Sequence, residues 1–341
     1  MADSKQATWR QCGLKYYSLK YYYFRHFTHP VRKITIDARF SCPNIDGTVG
    51  TGGCIFCENQ SFSPSRRNSI TIERQKQSKS HFLSDNLPPE AQCKISDIRD
   101  QIHSAAQHYE IREPNAKFVA YFQPSTNTYA PLWQLELLYR AALAEKNIIG
   151  LAIGTRPDTL PDAVLDFLAV FATETWLTVE LGLQSIHDKT LHFLNRGHNY
   201  QVSLETFQRV KERNINMCIH LILGLPNESR DDVIATADEI ARLQPHSIKL
   251  HNLYVPRGTL LAEMYYDERV RLPTIDQYVS YVVDFLERQS PETVIDRLVA
   301  DGHVLHTIAP SWYRNKNLVL NKIEAEFERR DSYQGKLHKK S

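Results

Sequence analysis

The segment FSCPNIDGTVGTGGCIFCENQSF at 40–62 holds three of the six cysteines, Cys42, Cys54 and Cys57, in the spacing C-x11-C-x2-C. A C-x2-C pair alone is common in zinc and redox sites, but structural zinc takes four ligands. The next cysteine is Cys93, and the next histidine is His81. Three thiolates without a nearby fourth ligand are typical of a [4Fe-4S] cluster that leaves one iron open. The glycines between them let the backbone turn tightly around such a cluster.

Short β-branched runs alternate with longer helical patterns on both sides of this loop. The predicted strands are 31–37, 117–122, 147–154, 176–182, 215–224 and 246–255, and the predicted helices lie near 94–111, 131–145, 161–171, 200–213 and 230–243. Repeated strand–helix alternation predicts a parallel sheet covered by helices. Polar or glycine-bearing sequence follows each strand, at the edge where parallel α/β folds build their active sites.

The pattern changes after the sixth strand. A helix near 275–289, a strand at 293–299 and a charged helix at 314–331 predict a C-terminal α/β appendage. We therefore divide the chain into an N-terminal extension (1–30), a core (31–255) and an appendage (256–341), with a surface insertion at 61–93.

Composition indicates a folded protein without a membrane partner. Of the 341 residues, 42% are hydrophobic and 23% are charged, close to the averages of globular proteins. The chain has no apolar run of eighteen residues and no signal-peptide pattern, so we expect a cytoplasmic location. Thiols stay reduced there, and Cys12, Cys93 and Cys218 are interpreted as ordinary thiols.

The N-terminal extension is basic and aromatic, although the net charge of the chain is only +2. Before Asp37 there are seven basic residues against one acid, and tyrosines and phenylalanines lie between them. Such a surface suits phosphates and unstacked bases. The alternative is an amphipathic helix whose aromatic side chains pack on the barrel while its cations remain solvated.

Several motifs in order carry a family resemblance: FSCPN-DGT-G-GGC-FC, TNT-A, GTRPD, ELGLQS, HLI-GLP and IKLH. The chain resembles the radical S-adenosylmethionine (SAM) superfamily, in the Elongator-catalytic-subunit-like branch, and is most similar to a bacterial family of about three hundred residues. The resemblance runs from about residue 15 to 335. It implies a partial (βα)6 TIM-like barrel, a [4Fe-4S] cluster on the three cysteines, S-adenosyl-L-methionine as second cofactor, and an electron donor such as flavodoxin or ferredoxin.

The second strand ends in YFQPSTNTYAP (121–131), where many radical SAM proteins carry Gly-Gly-Glu to hold the SAM amino group. The resemblance assigns this task to Gln123, helped by Ser125, Thr126 and Asn127. The alternative is that Ser125 or Asn127 caps the helix that begins near residue 131.

The GTRPD motif offers Thr155 and Arg156, and an arginine there can bind a carboxylate or a phosphate through its planar fork. For Asp158 the alternative is the cap of the next helix.

The resemblance also assigns Glu180 and Gln184 to SAM and places His220 near adenine. A buried Glu180 needs a basic partner such as Arg156 or Lys249. For His220 the alternative is a hydrogen-bonded core histidine.

Lys249 and His251 alternate with apolar neighbours on the sixth strand, so both should point into the barrel. Two titratable groups at a barrel mouth are candidate proton donors or substrate anchors, and we assign them as the catalytic residues.

The sequence therefore predicts a radical SAM enzyme. The Elongator-like resemblance and the basic extension favour tRNA, at C5 of the wobble uridine, as substrate. Too few residues follow the barrel for the Elongator acetyltransferase domain, so we expect remodelling of an existing modification. The alternatives are a radical SAM enzyme acting on a small metabolite or porphyrin, and a non-enzymatic zinc-binding scaffold.

Overall fold

The predicted strands lie side by side in one parallel sheet in the computed structural model, which describes residues 8–58, 88–300, 302 and 304–339. The strands are β1 Val31–Ile36, β2 Lys117–Phe122, β3 Ile148–Thr155, β4 Trp176–Gln184, β5 Asn216–Leu223, β6 Ser247–Asn252, β7 Val255–Pro256, β8 Val294–Arg297 and β9 Thr307–Ala309. The helices are α1 Leu19–His26, α2 Pro89–Glu110, α3 Leu132–Leu143, α4 Asp162–Glu174, α5 Asp188–Phe193, α6 Tyr200–Glu212, α7 Arg230–Leu243, α8 Leu260–Tyr266, α9 Ile275–Leu286 and α10 Lys316–Arg329.

The order of strands in the sheet follows the order in the chain from β1 to β6, and β8 pairs in parallel with β6 as a seventh strand. Side chains alternate along each strand. Ile36, Phe122 and Val179 face outward into the main hydrophobic core under the helices. The alternate positions face the inside of a curved, open barrel, where the polar side chains of the site lie.

The fold is thus a partial TIM-like α/β barrel, as predicted, but with seven parallel strands instead of six. The seventh is the strand that the sequence predicted at 293–299 and placed in the appendage. The alternation of residues in a four-residue segment can predict a strand, but it does not predict which strand it pairs with. The pairing of β8 with β6 is therefore visible only in the folded chain.

Helix α1 closes the amino-terminal end of the barrel. Tyr22 and Tyr23 are buried against Val31, Val119 and Val294, which lie on the inner face near the start of their strands. The aromatic side chains therefore pack on the barrel, which is the second of the two alternatives for this extension. Lys20 and Arg25 on the same helix remain exposed.

Two helices of the C-terminal part, α9 and α10, pack in the main core outside the sheet, whereas α8, β7 and β9 pack near the cysteine loop. Helix α9 contacts both α7 and α10, and β7 pairs antiparallel with β9. The helices predicted near 275–289 and 314–331 are α9 and α10, whereas α5, α8 and the β7–β9 pair were not predicted. The domain division after residue 255 stays a prediction.

Most of the surface insertion predicted at 61–93 lies outside the described residues, and α2 begins at Pro89. None of the described helices has the length and apolar character needed to cross a bilayer.

Candidate functional site

The cysteine loop follows β1 at the carboxyl edge of the sheet. Its turns are held by backbone hydrogen bonds from Ile45 N–H to Cys42 O (2.8 Å), from Gly53 N–H to Asn44 O (2.8 Å) and from Cys57 N–H to Cys54 O (2.8 Å). Gly53 has φ +75°, a left-handed conformation that a side chain disfavours. All six cysteines carry reduced thiols, and Cys54 is buried.

The spacing of the three loop sulfurs fits a cluster better than a single ion. Among the described residues, the ligand atoms of Glu180, Cys218 and His220 all lie within 4.8 Å of one another, whereas at least one pair of the loop sulfurs is farther apart than that. Sulfurs on one zinc ion would be about 3.8 Å apart, given a Zn–S bond of about 2.3 Å. A [4Fe-4S] cluster binds each thiolate through a different iron and spaces the sulfurs more widely.

The Cys57 thiol keeps its proton at neutral pH. Burial, with the neighbouring sulfurs of Cys54 and Cys42, raises the pKa of Cys57 to about 12. Metal binding to such a site releases protons, because only the thiolate is a ligand.

Except for Asn127, the residues predicted for the site line one cavity. The three cysteines line a single cavity together with the side chains assigned from the other strand ends: Gln123, Thr155, Arg156, Glu180, Gln184, His220, Lys249 and His251. Parallel strands that end at the same edge bring these segments together although up to about two hundred residues separate them in the chain. Ser125 and Gln184 line the cavity with φ +65° and +73°, strained values for residues other than glycine.

Two capping alternatives are wrong. Helix α3 has Pro131 at its N-cap and no side-chain cap. Asn127 instead donates from Nδ2 to Pro124 O (3.0 Å) and Gly154 O (2.9 Å), which ties the loops after β2 and β3 together. Asp158 does not cap α4 either, because α4 has Pro161 at its N-cap and no side-chain cap.

Asp158 instead orients Arg156. Arg156 donates from Nε and Nη2 to the Asp158 carboxylate at 2.9 and 2.7 Å, and Nη2 also donates to Arg196 O at 2.7 Å. Its Nη1 is buried without a partner among the described residues. A guanidinium held on one side and unsatisfied on the other is a preorganised donor for an anionic group in the cavity.

Glu180 is the centre of a buried charge network. Its carboxylate accepts from Lys33 Nζ (2.6 Å), Lys249 Nζ (2.8 Å) and His220 Nε2 (2.7 Å). Burial raises the pKa of Glu180, but Lys249 and Lys33 outweigh it and hold the pKa well below its usual value. Lys33 also pairs with Asp296 on β8. Lys249 is thus the basic partner expected for Glu180, whereas Arg156 pairs elsewhere.

The two histidines of the cavity are neutral at neutral pH. Burial lowers the pKa of His220, with Lys249 adding to the shift, and burial together with His220 and Arg297 lowers that of His251 far below its usual value. The Glu180 carboxylate can only accept, so His220 Nε2 carries the proton and Nδ1 remains an acceptor. Lys249 Nζ also donates to Tyr121 Oη at 3.0 Å, and burial lowers the pKa of Lys249.

Sequence reasoning missed Tyr121 and Arg196, which line the cavity, and Lys33, which binds Glu180. Tyr121 and Lys33 occupy inward positions of β2 and β1, so alternation could have identified them once the inner face was known to be polar. Arg196 donates from Nη1 to Cys54 Sγ at 3.1 Å and lines the cavity, but it lies in a loop that carries no recognised signal.

The trio Glu180, Cys218 and His220 is not a second metal site, although its ligand atoms converge. The carboxylate oxygens already bind the ammonium groups of Lys33 and Lys249. A metal cation there would be repelled by both.

The chain is similar to known proteins in sequence and in fold. The profile of the Radical SAM superfamily matches residues 46–240, and that of the Radical_SAM C-terminal domain matches residues 245–329. The protein YtqA of Bacillus subtilis is 36% identical over 325 residues, which are 94% of this chain and 92% of YtqA. A tRNA uridine(34) acetyltransferase of Methanocaldococcus jannaschii is 30% identical over 126 residues, 36% of this chain and 23% of that protein.

Among solved structures, the archaeal Methanocaldococcus infernus Elp3 with an N-terminal deletion has the same fold. The TM-score is 0.59 at 16% sequence identity, and the match covers 87% of this chain and 63% of that chain.

Proposed function

The chain belongs to the radical SAM superfamily, and from that premise we propose that Cys42, Cys54 and Cys57 hold its [4Fe-4S] cluster and that tRNA with a wobble uridine is its substrate. It is a radical SAM enzyme whose cofactors are a [4Fe-4S] cluster and S-adenosyl-L-methionine. When bound, these cofactors supply a 5'-deoxyadenosyl radical by one-electron cleavage of SAM. The observation that carries the proposal is the convergence of the three thiols with the predicted SAM residues on one cavity.

Arg156 is proposed as the residue that orients SAM. Its Nη1 is a buried donor without a partner among the described atoms, and the methionine end of SAM carries a carboxylate. Gln123 and Gln184 line the same cavity and offer neutral donors and acceptors for the remaining polar groups of SAM. Thr155 also lines it, but its hydroxyl is hydrogen-bonded to Thr128 and Thr159. The carboxylate of Glu180 already accepts three hydrogen bonds, so its contacts support a role in holding Lys249 and His220.

Lys249 and His251 are proposed to act on the substrate. The Lys249 ammonium is held between Glu180 and Tyr121, so it offers a donor at a defined position. His251 is neutral because its pKa is depressed, so its ring offers one donor and one acceptor. This combination can hold the polar edge of a base and move a proton at its heteroatoms.

The tRNA part of the proposal is supported by the partial relative named as acting on tRNA uridine 34. The cations of α1 lie at the amino-terminal end of the barrel, opposite the cavity, so they can contact only a part of the tRNA distant from the reacting base. Lys20 and Arg25 are exposed while the tyrosines between them are buried, so this surface can contact phosphates but does not offer these rings for stacking. A radical suits such a substrate, because it attacks unactivated C–H bonds and sp2 carbons.

Anaerobic reconstitution tests the cluster. We expect the full chain to bind iron and sulfide and to release 5'-deoxyadenosine on reduction, and Cys57→Ala to lose both properties. Cys93→Ala is the matched control, because Cys93 is an exposed thiol on α2 and should leave both unchanged. A zinc-loaded, colourless wild-type protein, or a Cys57→Ala variant that still cleaves SAM, would contradict the assignment.

The substrate is tested separately. Modified nucleosides in total tRNA from cells with and without the gene should differ at the wobble uridine, and the purified protein should retain tRNA with an affinity that falls steeply with salt. An unchanged nucleoside profile together with turnover of a small metabolite or porphyrin would leave the radical chemistry intact and reject tRNA.

A further inference from the structure

The segment 194–197, which follows α5, forms a bracket around the cysteine loop. Ile55 N–H donates to Leu194 O (3.2 Å), Asn195 Nδ2 donates to Gly53 O (2.7 Å), and Asn44 Nδ2 donates to Asn195 O (2.6 Å). These contacts join two segments about 140 residues apart in the chain. These hydrogen bonds fix the position of the segment, and of its side chains, against the cysteine loop.

The segment places a buried cation, the guanidinium of Arg196, against the cysteine loop. Arg196 is 5% exposed and donates from Nη1 to Cys54 Sγ at 3.1 Å and from Nη2 to Gly182 O at 2.5 Å. Its backbone carbonyl in turn accepts from Arg156 Nη2 at 2.7 Å. The guanidinium is thus held by two hydrogen bonds, one of them to the sulfur of a proposed cluster ligand.

We propose that Arg196 is a positioning residue that raises the reduction potential of the cluster held by the loop, and so makes the cluster easier to reduce before SAM is cleaved. Reduction adds one negative charge to a cluster that already carries three thiolates. A buried cation beside one of these sulfurs stabilises the reduced form more than the oxidised form, because little water is present to screen it. Hydrogen bonds to cluster sulfurs and the local net charge are two of the factors by which proteins set such potentials.

This inference rests on the proposed ligation by Cys42, Cys54 and Cys57, and the two can fail separately. If the wild-type chain binds no cluster, the proposed function fails. If it binds one and Arg196 does not affect the potential, only the inference fails.

The test is a redox titration of the anaerobically reconstituted full chain without SAM, monitored by electron paramagnetic resonance. The bound iron and sulfide of each variant are measured on the same samples. In Arg196→Gln, which is neutral, we expect the ratio of reduced to oxidised cluster at a given potential to fall about tenfold, or about 59 mV for one electron. Arg196→Lys keeps the charge and should stay within about threefold of the wild type. Asn195→Ala is the matched control, because it removes a hydrogen bond of the bracket without changing charge.

An Arg196→Gln titration that coincides with the wild type overturns the proposal. An equal shift of the potential in Asn195→Ala also overturns it, because loop geometry would then be the cause. Loss of iron from Arg196→Gln alone overturns it as well, because Arg196 would then serve cluster assembly. Should Arg196→Gln not fold, Asn44→Asp adds a negative charge instead, because it places a carboxylate where the Asn44 amide lies 3.8 Å from Cys54 Sγ. Asn44→Ala is its control, because it loses the same hydrogen bond to Asn195 O without adding charge. The potential of Asn44→Asp should fall below that of Asn44→Ala, and equal values would refute the electrostatic argument.

Discussion

Lys33 joins the two edges of the open barrel from the inside, and its removal gives a sharp test of the buried charge network. Its ammonium group on β1 binds Asp296 on β8 and Glu180 on β4. The side chains of Asp296 and Glu180 are 8% and 0% exposed. Removing one partner of a buried pair costs about 3–5 kcal/mol, because the other charge stays buried without compensation.

We therefore expect Lys33→Met to lower the free energy of unfolding by about 3–5 kcal/mol. The loss should arise mainly at Asp296, since Glu180 keeps its bonds to Lys249 and His220. Replacing Asp296 by leucine in the same chain removes both charges of the edge pair and should recover most of the loss.

Arg32→Met is the matched control, because Arg32 is the next residue on β1 and also forms an ion pair. Its partner is Glu113, and the two side chains are 37% and 29% exposed. Exposed pairs contribute less than about 1 kcal/mol, so this variant should unfold almost like the wild type.

The assay is urea unfolding of the metal-free, reduced protein, followed by circular dichroism and tryptophan fluorescence. Metal is left out because a bound cluster would add its own stabilisation. A Lys33→Met variant within 1 kcal/mol of Arg32→Met, or a double variant no more stable than Lys33→Met, would show that the network does not hold the barrel edges together.

Three further predictions concern other parts of the fold. Burial lowers the pKa of His246 to about 4, so the unfolded chain takes up the proton first as the pH falls from 6.5, and this residue should contribute about 2 kcal/mol to the loss of stability between pH 7 and pH 5, in addition to the losses from His220 and His251; His246→Asn should reduce the loss by that amount in urea melts, and an unchanged loss would refute it. The Tyr23 hydroxyl is buried without a partner among the described residues, so Tyr23→Phe should leave thermal stability unchanged or raise it by up to about 1 kcal/mol, and a clear loss would reveal a hidden hydrogen bond. Gly53→Ala strains a backbone with φ +75° and brings Cβ to 3.1 Å from Ile45 Cγ1, so iron content after reconstitution should fall, whereas Gly13→Ala, with φ +77° and open space, should load normally.

Much of the site could be predicted because its residues follow strands. Once 117–122, 148–155 and 247–252 are recognised as parallel strands, the segments after them must meet at one edge, whatever their separation in the chain. The inward direction of Lys249 and His251 likewise follows from the alternation of side-chain direction along a strand. The capping alternatives for Asn127 and Asp158 failed for the opposite reason, because a short polar side chain near a helix start can equally well bond to another loop or to an arginine.

The sequence by itself determined the cysteine loop, the parallel α/β barrel and the set of strand-end residues around the cavity, because these depend on local spacing and periodicity. Only the tertiary structure decided that β8 completes the sheet, that Lys33 meets Asp296 across 263 residues, and that Arg196 lies against Cys54. Such contacts between distant residues depend on the curvature of the sheet and on the positions of the loops that follow its strands. No local sequence pattern predicts such pairings, because a single lysine or arginine has the same local sequence signal whether its side chain contacts water or a buried sulfur.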